Sequence, residues 1–225
     1  GDLRVTGQLN ELDIHSSWAV QGIRLDYAAS LAQDGDTITG RIRSARIAQD
    51  DTGEWVLMEP VELSYAPNAL TVGVAKWANG ETRLDIGPVV NDADSLSVEA
   101  SLSAAPLGWL DARTPPAVSF DGSADAMLAL QQAEGEWAGQ FEWRQQDTVL
   151  NVDGGDGDRF EVAVPVAEVD ASLGLSGATV RARFEADGDT IVSFDARADG
   201  LSPEAAIEAD LRAAGREWDW VSAFF

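Results

Sequence analysis

The chain has no cysteine, a single histidine (His15) and a single lysine (Lys76) among its 225 residues. Without cysteine there is no disulfide framework, no thiol nucleophile and no thiolate-bound metal. His15 has no serine and aspartate around it in a triad pattern and no second ligand nearby, so it reads as an ordinary surface or edge residue. Basic side chains are scarce altogether: 15 Lys and Arg stand against 39 Asp and Glu, a formal charge of -24. Nucleic acid and anionic membrane surfaces repel such a polyanion, and the acidity keeps an apolar-rich chain in solution. No apolar run approaches the roughly 18 residues that span a bilayer. The first residues, "GDLRVTGQLN", lack the basic start and apolar stretch of a signal peptide. If the protein is exported or anchored, that segment lies outside this sequence.

What is present is a period of two. Leu25, Tyr27, Ala29 and Leu31 alternate with polar neighbours, as do Leu96, Val98, Ala100 and Leu102, then Phe160, Val162 and Val164, then Val180, Ala182 and Phe184. Strict alternation is the signature of strands with one apolar and one polar face, as in an antiparallel sheet wetted on one side. Asp-Gly in "QDGDTI" (33–38) and "ADGDTI" (186–191), and Asn79-Gly80, supply tight turns between the runs. About thirteen strands joined by short connections follow from these rules, a β-meander. One stretch is ambiguous. "LSPEAAIEADLRAAG" (201–215) has a capping serine, an early proline and a closing glycine suited to a helix. Its Ala205, Ile207, Ala209, Leu211 and Ala213 also alternate.

Two internal correspondences hint at repetition. "ASLSAAPLGWL" (100–110) lies over "ADLRAAGREWDW" (209–220), and "VTGQLNEL" (5–12) more loosely over "FDGSADAML" (120–128). They divide the chain into units 1–112 and 113–225, continuous with each other, with short amphipathic turns near 105–112 and 216–225. The terminal "AGREWDWVSAFF" then reads as a junction between repeats, and the chain as a segment of something longer. Unpaired terminal strands in such a segment invite an edge-strand dimer.

At these residues the chain resembles the TamB family, whose members are inner-membrane-anchored subunits of the translocation and assembly module of Gram-negative bacteria. The Gly-x-Trp-x-Leu and Pro-x-x-Leu elements fall at Gly53, Trp55, Leu57, Pro60 and Leu63, and Ala-x-Trp at Ala75 and Trp77. The Pro-Leu-x-x-Leu turn falls at Pro106, Leu107 and Leu110, and a new unit opens at Phe120 and Gly122. The similarity runs over 37–225 and resides in order and spacing rather than in any one element. Cysteines that some members carry are absent, with "SYAPNAL" in their place.

The resemblance implies an all-β, elongated, curved antiparallel meander folded into an open apolar groove. It further implies a periplasmic location, an outer-membrane barrel partner, and a role in moving phospholipid or in assembling outer-membrane barrel proteins. Period two writes the apolar face through Leu25, Tyr27 and Leu31; Val72, Val74 and Trp77; Leu96, Val98 and Leu102; Phe160, Val162 and Val164; Val180 and Phe184. A face of that kind must be covered by itself, by a partner or by a ligand. Phospholipid or detergent acyl chains need only continuous apolar area there, at ~25 cal/mol per Å².

No catalytic constellation, cofactor motif or metal site is expected. "VDGGDGDRF" (152–160) misses the EF-hand spacing and places Arg159 where a calcium repeat needs an acid, so it reads as a turn. The rival reading is a tryptophan-rich β-sandwich that binds carbohydrate, with Trp18, Trp55, Trp77, Trp137 and Trp143 as platforms.

Overall fold

The computed structural model describes residues 1–8, 11–153, 159–174, 176–186, 189–200 and 205–214. Ten strands come first: β1 (Asp2–Gln8), β2 (Glu11–Val20), β3 (Ile23–Asp34), β4 (Thr37–Gln49), β5 (Gly53–Leu57), β6 (Val61–Ala66), β7 (Ala69–Val72), β8 (Ala75–Asn79), β9 (Thr82–Asn91) and β10 (Ser95–Pro106). A 3-10 helix, Leu107–Arg113, follows at the place of the expected amphipathic turn. The remaining strands are β11 (Val118–Ala133), β12 (Glu136–Asp153), β13 (Arg159–Gly174), β14 (Gly177–Ala186), β15 (Asp189–Asp199) and β16 (Ala206–Ala213). The protein is all-β, an antiparallel meander in which hydrogen-bonded order follows chain order. The turn glycines behave as their sequence requires: Gly35 and Gly80 both sit at φ 58°, a conformation that only glycine adopts without cost.

The ambiguous stretch is a strand where it is described. Ala206–Ala213 pairs with β15, setting Leu211 opposite Phe194, Ala209 opposite Ala196 and Ile207 opposite Ala198. An alternating partner strand outweighs local helix propensity, which is the weaker term. The expected turn at 216–225 lies outside the described residues.

Two compact units are formed, Gly1–Leu102 with Ala129–Trp137, and Ser103–Leu128 with Ala138–Phe225. The position 112/113, where the sequence correspondences place a boundary, lies inside the second. In the first unit the strands are longer than they look. β5 and β6 are one pass along β4, interrupted at Met58–Pro60, and β7 and β8 are one return pass, interrupted at Gly73–Val74. The ladder is carried over these gaps by the Met58 amide to the Lys76 carbonyl and the Gly73 amide to the Glu62 carbonyl, both 2.8 Å.

Adjacent strands break at the same level. On β4 the pairing steps from Ala28↔Ser44 to Ala29↔Ile42, leaving Arg43 as an extra residue, a β-bulge. On β9 it passes from Ile86↔Ala75 to Val89↔Val72 across Gly87, which sits at φ 101°. These irregularities form a crease across β4 to β9. Its consequence is a change of parity: Trp77 and Ala75 below the crease and Val72 above it pack against the same buried cluster, Ala45, Leu57 and Val61. In β4 and in the β7–β8 pass the apolar side chains stay on one face while their numbering changes parity, from Ile47 and Ala45 to Ile42 and from Val72 to Ala75 and Trp77, whereas the β5–β6 pass keeps odd numbers from Trp55 and Leu57 to Val61 and Leu63.

The second unit repeats the device. The β12–β13 ladder runs from Gln146↔Val166 to Thr148↔Val164 around Asp147, whose φ is 51°. β14–β15 shifts register between Phe184 and Glu185. The apolar residues of β13 change accordingly, from Phe160, Val162 and Val164 to Ala167, Val169 and Ala171.

Candidate functional site

Cross-strand register assembles the apolar face of the first unit from the expected residues. Leu25 lies opposite Ile47, which lies opposite Trp55; Tyr27 lies opposite Ala45. Leu31 lies opposite Gly40, Gly40 opposite Leu63, and Leu63 opposite Val72. Trp77 joins through Leu57. Leu25, Tyr27, Leu31, Val72 and Trp77 therefore share one face. Tyr27, Val72 and Trp77, with Ile42 and Ala75, pack on the Ala45–Leu57–Val61 cluster. Val74 stands apart, in the crease between β7 and β8, and is exposed. Leu96, Val98 and Leu102 alternate along β10 and are half-buried.

In the second unit Val180 and Phe184 lie opposite Ala171 and Ala167 on one side and Ala196 and Val192 on the other. Val164 lies opposite Thr148 and is half-buried. The backbones of Phe160 and Val162 pair with Val152 and Leu150, which belong with Val118 to a buried cluster covered by Phe120. The side chains of Phe160 and Val162 lie outside the described residues. Period two had not drawn out Leu57, Val61, Leu150 or Val152 as centres of the core. The signal was there for Leu57 in the Gly-x-Trp-x-Leu spacing, whereas Pro-x-x-Leu marks Leu63, two residues beyond Val61.

The opposite face is an ion-pair ladder. Arg144, Glu168 and Arg183 lie directly across from one another on β12, β13 and β14. Arg144 reaches Asp170 at 2.8 Å, Glu168 at 3.6 Å and Glu142 at 3.7 Å, while Arg183 reaches Glu168 at 2.9 Å and Glu185 at 3.2 Å. The bond to Asp170 is the main cause that raises the Arg144 pKa above the ordinary guanidinium value. In the first unit Arg41–Glu62, Arg43–Asp13, Arg46–Glu54 and Lys76–Glu59 do the same. Exposed pairs of this kind contribute little stability each; their placement keeps one face wet.

Concavities open on this polar face. Two in the second unit are lined by Thr179 and Arg181 but not by Val180 between them, and period two sends Val180 the other way. A third, about 1060 Å³, lies over β1 to β5 and is lined from both faces, by Asp2, Arg4, His15 and Arg46 and by Leu3, Val5, Tyr27 and Ala45. The apolar face extends across neighbouring strands of each unit. Its burial is incomplete. Among the described side chains none of the tryptophans, tyrosines or phenylalanines is fully buried, and Trp18 remains 47% exposed. Two sheets packed face to face bury their facing aromatics; here the buried cluster in each unit is built from neighbouring strands.

Among the described residues no group of three His, Asp or Glu side chains could hold a metal, and His15 is exposed. Most of the calcium-like segment, residues 154–158, lies outside the described residues. Among the described residues no helix is long and apolar enough to cross a membrane. Comparison with family models, curated proteins and solved structures finds no match.

Proposed function

We propose that the chain is a non-enzymatic binding module whose apolar sheet face accommodates lipid acyl chains. Its service is to outer-membrane biogenesis, passing phospholipid between the inner and outer membranes. The observation that carries this reading is the incomplete burial of the apolar face in each unit, with Tyr27, Trp55, Trp77, Phe184 and Phe194 half-buried among aliphatic neighbours. At ~0.8 kcal/mol per buried methylene, eight to ten methylenes laid on such a surface supply about 6–8 kcal/mol before ordering costs. No directional partner is required. The resemblance to the TamB family supplies the rest of the proposal: a periplasmic location, an inner-membrane anchor elsewhere in the full protein, and an outer-membrane barrel as partner.

Trp18, Trp55 and Trp77 share the apolar face through their pairing with Leu25, Ile47 and Leu57. Phospholipid with brominated acyl chains should therefore quench the chain's fluorescence and protect it from acrylamide. Native mass spectrometry of the purified chain should show phospholipid adducts. Val98→Asp and Phe184→Asp should abolish quenching without unfolding the sheet, whereas Ser101→Asp, at an exposed position, should leave it unchanged. Brominated lipid that fails to quench, with oligosaccharide protecting the same tryptophans, would replace this reading by the carbohydrate-binding one.

A further inference from the structure

The apolar face of the first unit runs out to β1 and that of the second to β16, and among the described residues these two strands each pair on one side only. Both strands are exposed along their whole length. Leu3 is 59% exposed, Ile207 75% and Leu211 68%. Edge strands of folded proteins are usually blunted by proline, a bulge or inward charge; these two carry none of those devices between Asp2 and Gln8 or between Ala206 and Ala213.

We propose that these edges are complementary docking surfaces, β1 of one copy of this chain pairing antiparallel with β16 of a second copy. The register is set by two independent patterns. On the apolar face Leu3 meets Leu211 and Val5 meets Ala209. On the polar face Asp2 meets Arg212 and Arg4 meets Asp210. Faces match because Leu3 and Val5 continue the side of Ser16 and Ile14, as Leu211 and Ala209 continue that of Phe194 and Ala196. A slip of one residue turns every apolar side chain to the wrong face. A slip of two sets Asp2 against Asp210 in one direction and Arg4 against Arg212 in the other, and like charges directly opposite are destabilising. One register satisfies both.

The groups involved are available. Most described basic residues are already held by carboxylates of their own chain, whereas Arg4 has no such partner among the described residues. Arg212 bonds Asp210 of its own strand at 2.8 Å, in the open, so a second copy adds Asp2 and Arg4 to an existing pair. Because the two surfaces differ, the contact is head-to-tail and propagates beyond a dimer.

The test is sedimentation velocity of the full chain over a concentration series, with circular dichroism confirming that each variant keeps its strands. The parent should show mass rising with concentration. Arg4→Glu places an acid against Asp210, and Asp210→Arg places a base against Arg4, so each alone should weaken association about tenfold, one exposed pair per contact changing from attraction to repulsion. Mixed in equal amounts, the two variants can alternate along the assembly so that every β1–β16 contact again pairs opposite charges at these positions, and association should return to near the parent level. A parent that stays monomeric, single variants that associate like the parent, or a mixture that does not recover would each overturn the proposal.

Discussion

Gly40 is a buried position in the middle of β4, with Leu31 opposite it on one side and Leu63 on the other. A Cβ there would lie 2.6 Å from Leu31 Cδ2, 2.8 Å from Leu63 Cδ1 and 2.9 Å from Leu63 Cγ. The two leucines thus close over the glycine on the apolar face, each filling space that any other residue would need. Gly40→Ala must push both aside. Overpacking of this kind costs about 1–3 kcal/mol, and alanine returns about 0.5–1 kcal/mol by relieving the conformational cost of glycine in a strand. A net loss near 1 kcal/mol is expected, at the lower end because methyl ends can swing. Urea unfolding followed by tryptophan fluorescence should show a lower midpoint with an unchanged slope. The decisive measurement is the double variant. Leu63→Ala removes the Cγ and Cδ1 atoms that obstruct the new methyl, so in that background Gly40→Ala should be neutral or stabilising, a coupling of about 1–2 kcal/mol. If Gly40→Ala stabilised the parent, or the two changes simply added, Leu31 and Leu63 would not meet over Gly40 and the face built from their register would be wrong.

Two further perturbations test other parts of the sheet. The Asp92 carboxylate closes the β9–β10 turn by accepting the amides of Asp94 at 3.1 Å and Ser95 at 2.8 Å. The Asp94 amide first, then the Ser95 hydroxyl and amide, hold its pKa below the ordinary carboxylate value. Its contribution is therefore fully present above the unfolded-state pKa and is lost as pH falls through the lower folded value. Asp92→Ala should lower the urea midpoint at neutral pH, the gap to the parent closing as pH falls below the ordinary carboxylate range; a gap that did not change with pH would contradict this. Thr148 is 2% exposed and its Oγ1 has no hydrogen-bond partner. Thr148→Val should raise stability by about 1 kcal/mol by removing an unsatisfied hydroxyl, and Thr148→Ser, which keeps the hydroxyl and loses the methyl, should lower it by a similar amount; destabilisation by valine would show that the hydroxyl is satisfied.

The fold class was open to reading because period two and Asp-Gly or Asn-Gly turns are local features, written within a few residues of where they act. Leu25, Tyr27 and Leu31 could be placed on one face from their spacing alone, and β3 places them there. The creases could not be read in the same way. A bulge such as that at Arg43 depends on what the neighbouring strand does at the same level, and nothing within β4 marks it. Val74 shows the effect. Continuing period two from Val72 reaches Val74, yet the pass is interrupted there and the apolar face resumes at Ala75 and Trp77. Gly73 and Gly87, with Pro60 and Pro88 in the neighbouring passes, are its local traces, and Gly87 sits where a Cβ would come within 3.0 Å of the Gly73 carbonyl oxygen.

This same property bears on what the face can do. A period of two kept strictly through strands as long as β12, 18 residues, accumulates twist from strand to strand. Creases aligned across neighbouring strands bend the sheet locally and let the apolar set continue on one side despite the change of parity. In the first unit that continuity is carried by Ala45, Leu57 and Val61, which touch apolar residues from both sides of the break. Replacing Val61, 2% exposed, by alanine would remove the side chain on which both halves pack. The cost expected is about 1–3 kcal/mol, and acyl-chain quenching of Trp77 should weaken with it, since that ring packs on the same cluster. Loss of stability with quenching unchanged would separate the core from the binding surface and assign the acyl-chain site to some other part of the face.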